Sequence, residues 1–119
     1  MAFKPRPNGG GLVEDTAFVA PTAYVGKYAV VKDKARVLDN ASIDDFAEVF
    51  MDALVCGNAK VCDNAKVYGN AKVYGYAKVY GDAEVYGDAR VGDAQVGNAH
   101  VHGNAIVVTE HVFNTVRCS

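Results

Sequence analysis

The sequence has no Trp, only three Pro and three Cys, and no apolar run long enough to cross a membrane as a helix. Its apolar residues are mostly Ala and Val, with few Leu or Ile. Small side chains fill only a narrow interior at native packing density, so this composition excludes a thick globular core. Half of the chain is nevertheless apolar, which excludes a disordered protein. A thin core in a chain of 119 residues predicts one domain that grows along a single direction.

Charge and cysteine content narrow the class of protein further. A net charge of -2 and a pI near 5.8 argue against a general nucleic-acid binder and against binding to anionic membranes. Cys56, Cys62 and Cys118 are odd in number and lack the spacing of a disulfide framework, so we expect free thiols in a reducing compartment. Residues 1–11 carry positive charge with no apolar run behind it, unlike a secretory signal. These features predict a cytoplasmic protein.

What the sequence does contain is a six-residue repeat. With Val13 as its first position, Val or Ile recurs at every sixth residue as far as Val85, and a matching series of Ala runs from Ala17 to Ala89. From residue 55 the repeat sharpens to V-x-G/D-N/D/Y-A-x, as in VYGNAK. A period of six does not fit the 3.6 residues of a helical turn, and a Gly in every turn would cost about 1 kcal/mol each in a helix.

Each position of the repeat has a physical reason. In an extended segment such as residues 66–68, Val67 faces inward while its neighbours face outward. The β-branched side chain suits that backbone. Gly69 and Asn70 tolerate the positive φ that a sharp corner needs, and Ala71 then points inward where space is short. The sequence therefore predicts short strands that alternate with corners.

An aliphatic first position and a small fifth position are typical of the hexapeptide-repeat superfamily, which this chain resembles over about residues 12–107. The resemblance implies an all-β fold: a single-stranded, left-handed parallel β-helix of about five triangular coils, each made of three hexads. The G-N/D-A-x-V-Y variant is most similar to short, prophage-type repeat proteins that are often labelled transferases.

The repeat changes near the C-terminus. Residues 91–95 and 96–100 form five-residue repeats, residues 101–106 restore six, and from residue 107 the pattern is lost. Val112, Phe113 and Val116 fit one apolar face of a helical turn that would cap the open end. We therefore predict a flexible tail over 1–11, a solenoid over 12–107, and a short cap or tail over 108–119.

Residues eighteen apart stack on one face if the coil length implied by the resemblance holds. One face then carries an aromatic series, Phe50, Tyr68 and Tyr86, which His102 ends, beside an alternation of Glu and Lys. An adjacent face carries Phe18, Leu38, Leu54 and Tyr74. Exposed apolar columns often mark partner surfaces, so we predict an oligomer or partner interface there. The alternative is that Tyr simply suits exposed strand positions.

Two further sets of residues suggest ligands. The stacked pairs Lys60/Lys78 and Lys72/Arg90 fit an anion site, although solvated surface charge is the alternative. Two histidines flanking one inward valine, with a third in the tail, are a weaker candidate for a metal site, since they also simply end the two columns. These are His100, His102 and His111.

Enzymes of the superfamily provide the rival hypotheses. The opening AFVAPTAYVGKYAVV resembles γ-class carbonic anhydrases, but the histidine spacing differs from theirs. Superfamily acyltransferases use a histidine beside protruding loops, whereas the hexads here are unbroken to residue 90 and no histidine precedes His100. The two thiols Cys56 and Cys62 have no base at a defined offset.

The leading hypothesis is therefore a non-enzymatic, self-associating solenoid without a cofactor. It would serve as a structural or protein-binding module, phage-encoded in origin, in a virion or as a block on a host enzyme. The resemblance favours a homotrimer. The alternatives are an acyltransferase, a γ-class carbonic-anhydrase-like enzyme, or an oligomer that sequesters a small anion.

Overall fold

The structure is a computed structural model that describes residues 9–108, 111–113 and 116–118, with side chains for residues 9–108. The described residues form strands, turns and bends without a helix, so the all-β prediction is confirmed. Among these residues there is accordingly no apolar helix of the length that a lipid bilayer requires. Residues 1–8 of the predicted N-terminal tail lie outside the described residues, whereas the Gly11 N–H donates to the Val25 carbonyl at 3.0 Å.

The strands are two or three residues long, as the alternation of one inward Val with outward neighbours predicts. They are β1 (Leu12–Val13), β2 (Phe18–Val19), β3 (Tyr24–Val25), β4 (Val30–Val31), β5 (Arg36–Val37), β6 (Ser42–Ile43), β7 (Glu48–Val49), β8 (Leu54–Val55), β9 (Lys60–Val61), β10 (Lys66–Val67), β11 (Lys72–Tyr74), β12 (Lys78–Tyr80), β13 (Glu84–Val85), β14 (Arg90–Gly92), β15 (Gln95–Gly97), β16 (His100–His102), β17 (Ile106–Val108), β18 (His111–Phe113) and β19 (Val116–Cys118).

Each strand pairs in parallel with the strand three places later in the chain, which produces three sheets. The first sheet has the order β1-β4-β7-β10-β13-β16-β19, the second β2-β5-β8-β11-β14-β17, and the third β3-β6-β9-β12-β15-β18. The chain makes five turns between β1 and β16, as predicted, and β19 ends a sixth. The molecule measures 37 × 21 × 20 Å, the elongated shape that a thin core requires.

The core is a narrow column of Val and Ala between the sheets. Val67 and Ala71 are 0% exposed, and the other inward residues of the hexads between Ala23 and Val91 are equally buried. The register places Val67 beside Val49 and Val85, one turn before and one turn after it. Each turn therefore buries the same small side chains against those of its neighbours.

The corners depend on residues that accept a positive φ. In the six-residue repeats the N–H of the inward Ala closes the turn, as from Ala71 to the Tyr68 carbonyl at 3.4 Å. From Asp33 onward the residue after that carbonyl has a positive φ, for example 58° at Asp63. Gly, Asp and Asn hold these positions with one exception among the described residues, Met51 at 60°. The residue type at each corner is therefore explained by the backbone conformation that the corner requires.

Aspartate side chains tie successive corners together. The Asp45 carboxylate accepts the Asp63 N–H at 3.1 Å, and the Asp63 carboxylate accepts the Gly81 N–H at 2.9 Å. Each bond joins residues eighteen apart, because the corners of successive coils lie directly above one another.

The five-residue repeats shorten the coil without breaking the sheets. Lys66 pairs with Glu84, eighteen residues later, whereas Glu84 pairs with His100, only sixteen later. In each short repeat a Gly follows the inward Val, and a ring of the preceding coil occupies the space a side chain would need. A Cβ at Gly97 would lie 2.6 Å from ring carbons of Tyr80.

The C-terminal strands correct one prediction. The expected helical turn over Val112, Phe113 and Val116 is wrong, because β18 pairs with β15 and β19 pairs with β16. Val112 is the partner of Val96, and Arg117 is the partner of Val101, so the repeat continues in its five-residue form. Parallel pairing satisfies the backbone groups of these strands, whereas one isolated helical turn leaves most of its own without partners.

Candidate functional site

A column of stacked rings runs along the first sheet. It consists of Phe50, Tyr68, Tyr86 and His102, each of which follows an inward Val, and we call it the aromatic column. Its ring centroids lie 4.8, 5.0 and 5.0 Å apart, and neighbouring planes differ by no more than 9°. All four side chains are half-buried. The stacking predicted from the eighteen-residue coil is therefore confirmed, and only the edges of the rings face solvent.

Polar contacts fix both the middle and one end of this column. The Tyr68 hydroxyl donates to Glu84 Oε1 at 2.7 Å. Burial, followed by this hydrogen bond and the Glu84 charge, raises the pKa of the Tyr68 hydroxyl well above its ordinary value. At the other end Lys32 Nζ lies 5.1 Å from the centre of the Phe50 ring and 3.8 Å from Glu48 Oε1. These contacts help to fix the positions of the rings.

Two carboxylates, a lysine and a histidine lie beside the aromatic column. Glu48, Lys66, Glu84 and His100 are successive partners in the register of the first sheet. Among the described residues, Glu48 forms an ion pair with Lys32, and Lys66 forms none with either carboxylate. The first sheet therefore presents a half-buried apolar column with a polar border.

The four residues predicted for the second face lie on the second sheet, but in two columns. Phe18 and Leu54 precede inward valines, and Arg36 lies between them in the register. Leu38 and Tyr74 follow inward valines, where Leu38 is half-buried and the Tyr74 ring covers Gly92. The second sheet is therefore less continuously apolar than predicted. Leu38 and Leu54 are sixteen residues apart, not eighteen, so they lie on opposite sides of the inward valines.

The predicted basic pairs are neighbours in the structure. Lys72 is the partner of Arg90 in the second sheet, and Lys60 is the partner of Lys78 in the third. Like charges directly opposite one another destabilise a sheet slightly, so each pair has a favourable place for an anion or a carboxylate.

The three histidines do not share one sheet. His100 and His102 belong to β16 in the first sheet, whereas His111 belongs to β18 in the third. The His102 ring stacks on Tyr86, and the His100 ring meets Tyr86 edge-on at 6.4 Å. Both described rings therefore end the columns of the first sheet.

The described thiols, Cys56 and Cys62, follow strands of different sheets. Burial raises the pKa of both, and nearby aspartates raise it further: Asp39 for Cys56, and Asp63 above all for Cys62. Both thiols are therefore held protonated, which is the opposite of what an activated nucleophile needs.

Two features of the ridge between the third and first sheets were not predicted. Tyr28 and Phe46 are each 61% exposed, and their rings stack at 5.4 Å. One ligand atom each from Asp45, Cys62 and Asp63 lies within 4.8 Å of the others. The signal for both features was the same eighteen-residue spacing, read at corner positions instead of strand positions.

No protein-family model matches the chain, and no curated protein or solved structure matches it either. The likeness to the hexapeptide-repeat superfamily therefore rests on the repeat and on the three-sided parallel solenoid.

Proposed function

We propose that this chain is a non-enzymatic, self-associating β-solenoid of the hexapeptide-repeat type that serves as a structural or protein-binding module. The observation that carries this proposal is the aromatic column, an apolar strip of stacked rings across four coils of the first sheet. The centres of protein interfaces are enriched in Tyr and Phe and are surrounded by polar residues, as this column is. A homotrimer is the assembly we favour, since three-sided solenoids can close a ring by packing unlike faces.

The chemistry of the described residues supports a binding role over catalysis. The pKa of each described thiol is raised, so neither is prepared to attack a substrate. The His102 ring is stacked on Tyr86 as part of the aromatic column. The proposal extends to capture of another protein, such as a host enzyme, by the same surface of a phage-encoded, cytoplasmic chain.

Light scattering and native mass spectrometry test self-association. We expect a multiple of the 12.6 kDa chain mass. Phe50→Glu combined with Leu54→Glu should lower that mass, because each places a charge on a half-buried apolar surface. Tyr76→Glu is the control for an added charge, since Tyr76 is 72% exposed at the corner between the second and third sheets, outside the aromatic column. A monomer at high micromolar concentration would overturn the proposal, as would equal disruption by Tyr76→Glu.

Anion sequestration is a second candidate function, favoured by the like-charged neighbours Lys72 and Arg90. An anion between them would relieve their repulsion. Phosphate should then raise the melting temperature more than chloride at equal ionic strength, and Arg90→Gln should remove the difference. Equal effects of the two salts on the unmodified chain would exclude this function.

A further inference from the structure

The second sheet has a charge pattern that complements the first. Its residues preceding the inward valines include three exposed cations, Arg36, Lys72 and Arg90, which we call the basic column. Leu54 lies within this column between Arg36 and Lys72. The corresponding positions of the first sheet are Glu48, Lys66 and Glu84 in successive turns. The first sheet thus offers rings with two carboxylates and one cation, and the second offers cations and an aliphatic side chain.

The two carboxylates differ in what they already contact. Glu48 pairs with Lys32 on its own chain at 3.8 Å. Glu84 accepts a hydrogen bond from the Tyr68 hydroxyl. Among the described residues no cation lies within ion-pair distance of the Glu84 carboxylate. Because its Oε1 reaches the Tyr68 hydroxyl, the Glu84 carboxylate leans towards the aromatic column. Its charge is therefore placed where a cation from outside would meet it together with the rings.

The direction of winding decides which columns would meet. All sheets of a solenoid wind the same way about the axis. When two copies lie side by side with parallel axes, the strands of the facing sheets therefore run in opposite directions. The residues following the valines of one copy then face the residues preceding the valines of the other. Cyclic symmetry also keeps the copies at one height, so residues of the same turn oppose one another.

We propose that the first sheet of one copy packs on the second sheet of the next, with the aromatic column against the basic column. This inference rests on the self-association proposed above and specifies its contact. Phe50 faces Leu54 in one turn, and Tyr68 faces Lys72 in the next. Arg90 faces Tyr86 in the turn after that, where its guanidinium also reaches the Glu84 carboxylate. Because two different faces meet, the contact is heterologous and closes into a ring.

Charge exchange tests this contact. Glu84→Arg and Arg90→Glu should each weaken association by about tenfold or more, because each places like charges together. The double variant, Glu84→Arg with Arg90→Glu, should recover most of the loss. Glu84→Gln keeps an oxygen for the Tyr68 hydroxyl and should weaken association less than Glu84→Arg. Association constants would come from analytical ultracentrifugation, with circular dichroism to confirm the fold of each variant.

Lys78→Glu is the matched control for Arg90→Glu, since Lys78 holds the equivalent strand position in the third sheet. It should leave the association constant unchanged. If the unmodified chain associates, and Glu84→Arg and Arg90→Glu associate equally well, this contact is wrong but self-association is not. Disruption by Lys78→Glu, with no recovery in the double variant, would assign the contact to the third sheet instead. A monomeric unmodified chain would remove this inference together with the proposed function.

Discussion

The Tyr74 ring lies over Gly92, its partner one coil later in the second sheet. A Cβ at residue 92 would collide with the ring carbons and the hydroxyl of Tyr74. Gly92→Ala should therefore displace the ring and destabilise the fold by about 1 kcal/mol, at the low end of overpacking costs. In a Tyr74→Ala background the same substitution should cost much less. The coupling would be measured by chemical denaturation of the four chains.

Comparison of the same four chains distinguishes a steric effect of the Tyr74 ring from a backbone effect at Gly92. Gly92 has no positive φ, so Ala itself is compatible with its backbone. If Gly92→Ala cost the same free energy of unfolding with and without the Tyr74 ring, the ring would not be the reason for glycine in the short repeats.

Met51 is expected to be a weak point of the fold. Its φ is 60°, a conformation that costs a residue with a Cβ about 1–2 kcal/mol, and its side chain is 48% exposed. Met51→Gly should stabilise the protein by about 0.5–1 kcal/mol after the added chain entropy of Gly is subtracted. Met51→Ala keeps the Cβ and should give little or no gain. A melting temperature that rises equally for both variants would show that side-chain loss, not φ, is responsible.

The inward corner should tolerate extra volume poorly. Ala71 and Ala77 are 0% exposed between successive coils. Ala71→Leu or Ala77→Leu should cost about 1–3 kcal/mol or more by overpacking. Tyr68→Ala removes an outward ring and one hydrogen bond, so we expect a smaller loss of thermal stability below the association threshold. Equal thermal shifts would contradict the inward and outward assignment.

The fold was predictable because the repeat restricts two kinds of position, the inward positions of the strands and the corners between them. An inward position holds Val, Ile or Ala, and a corner must accept a positive φ, so the residue types of Val67 and Gly69 indicate their environments directly. The strand conformation of the C-terminal residues was not predicted, because Arg117 stands where the pattern has Val. Backbone pairing with the preceding coil sets their conformation, and hydrophobic periodicity does not record that pairing.

The candidate site was predictable only in part. The spacing of Phe50, Tyr68 and Tyr86 was sufficient to predict their stacking. It did not show that the Tyr68 hydroxyl bonds Glu84, because that bond depends on side-chain direction, which a count of eighteen does not contain. The separate columns of Leu38 and Leu54 could have been predicted, since the two residues are sixteen apart.

Tyr68 should resist ionisation in alkaline solution. Its pKa is raised, first by burial and then by the bond to Glu84, whereas an unfolded tyrosine ionises near 10.0. The stability it contributes is present below about pH 10 and is lost as the pH rises further, since only the unfolded chain then gains by losing the proton. Absorbance at the tyrosinate band, compared between the unmodified chain and Tyr68→Phe, should show no Tyr68 contribution near pH 11. A larger tyrosinate signal from the unmodified chain than from Tyr68→Phe at that pH would contradict the half-buried, bonded hydroxyl.

Cys62 should alkylate slowly, and its aspartate neighbours should set the rate. Burial raises the pKa of this thiol, and the charges of Asp63, Asp45 and Asp44 raise it further, while Lys78 lowers it. Asp63→Asn removes a negative charge but keeps an oxygen that can accept the Gly81 N–H, so the fold should be preserved. The thiolate is the reactive form, so its fraction and the rate of reaction with iodoacetamide at pH 8 should both rise. Lys78→Gln should act in the opposite direction.

Peptide mass spectrometry would follow Cys62 and Cys56 in the same sample, and Cys56 is the internal control because Asp39, not Asp63, raises its pKa. An acceleration confined to Cys62 would confirm the electrostatic cause, whereas parallel acceleration of both thiols would indicate a general loosening of the solenoid.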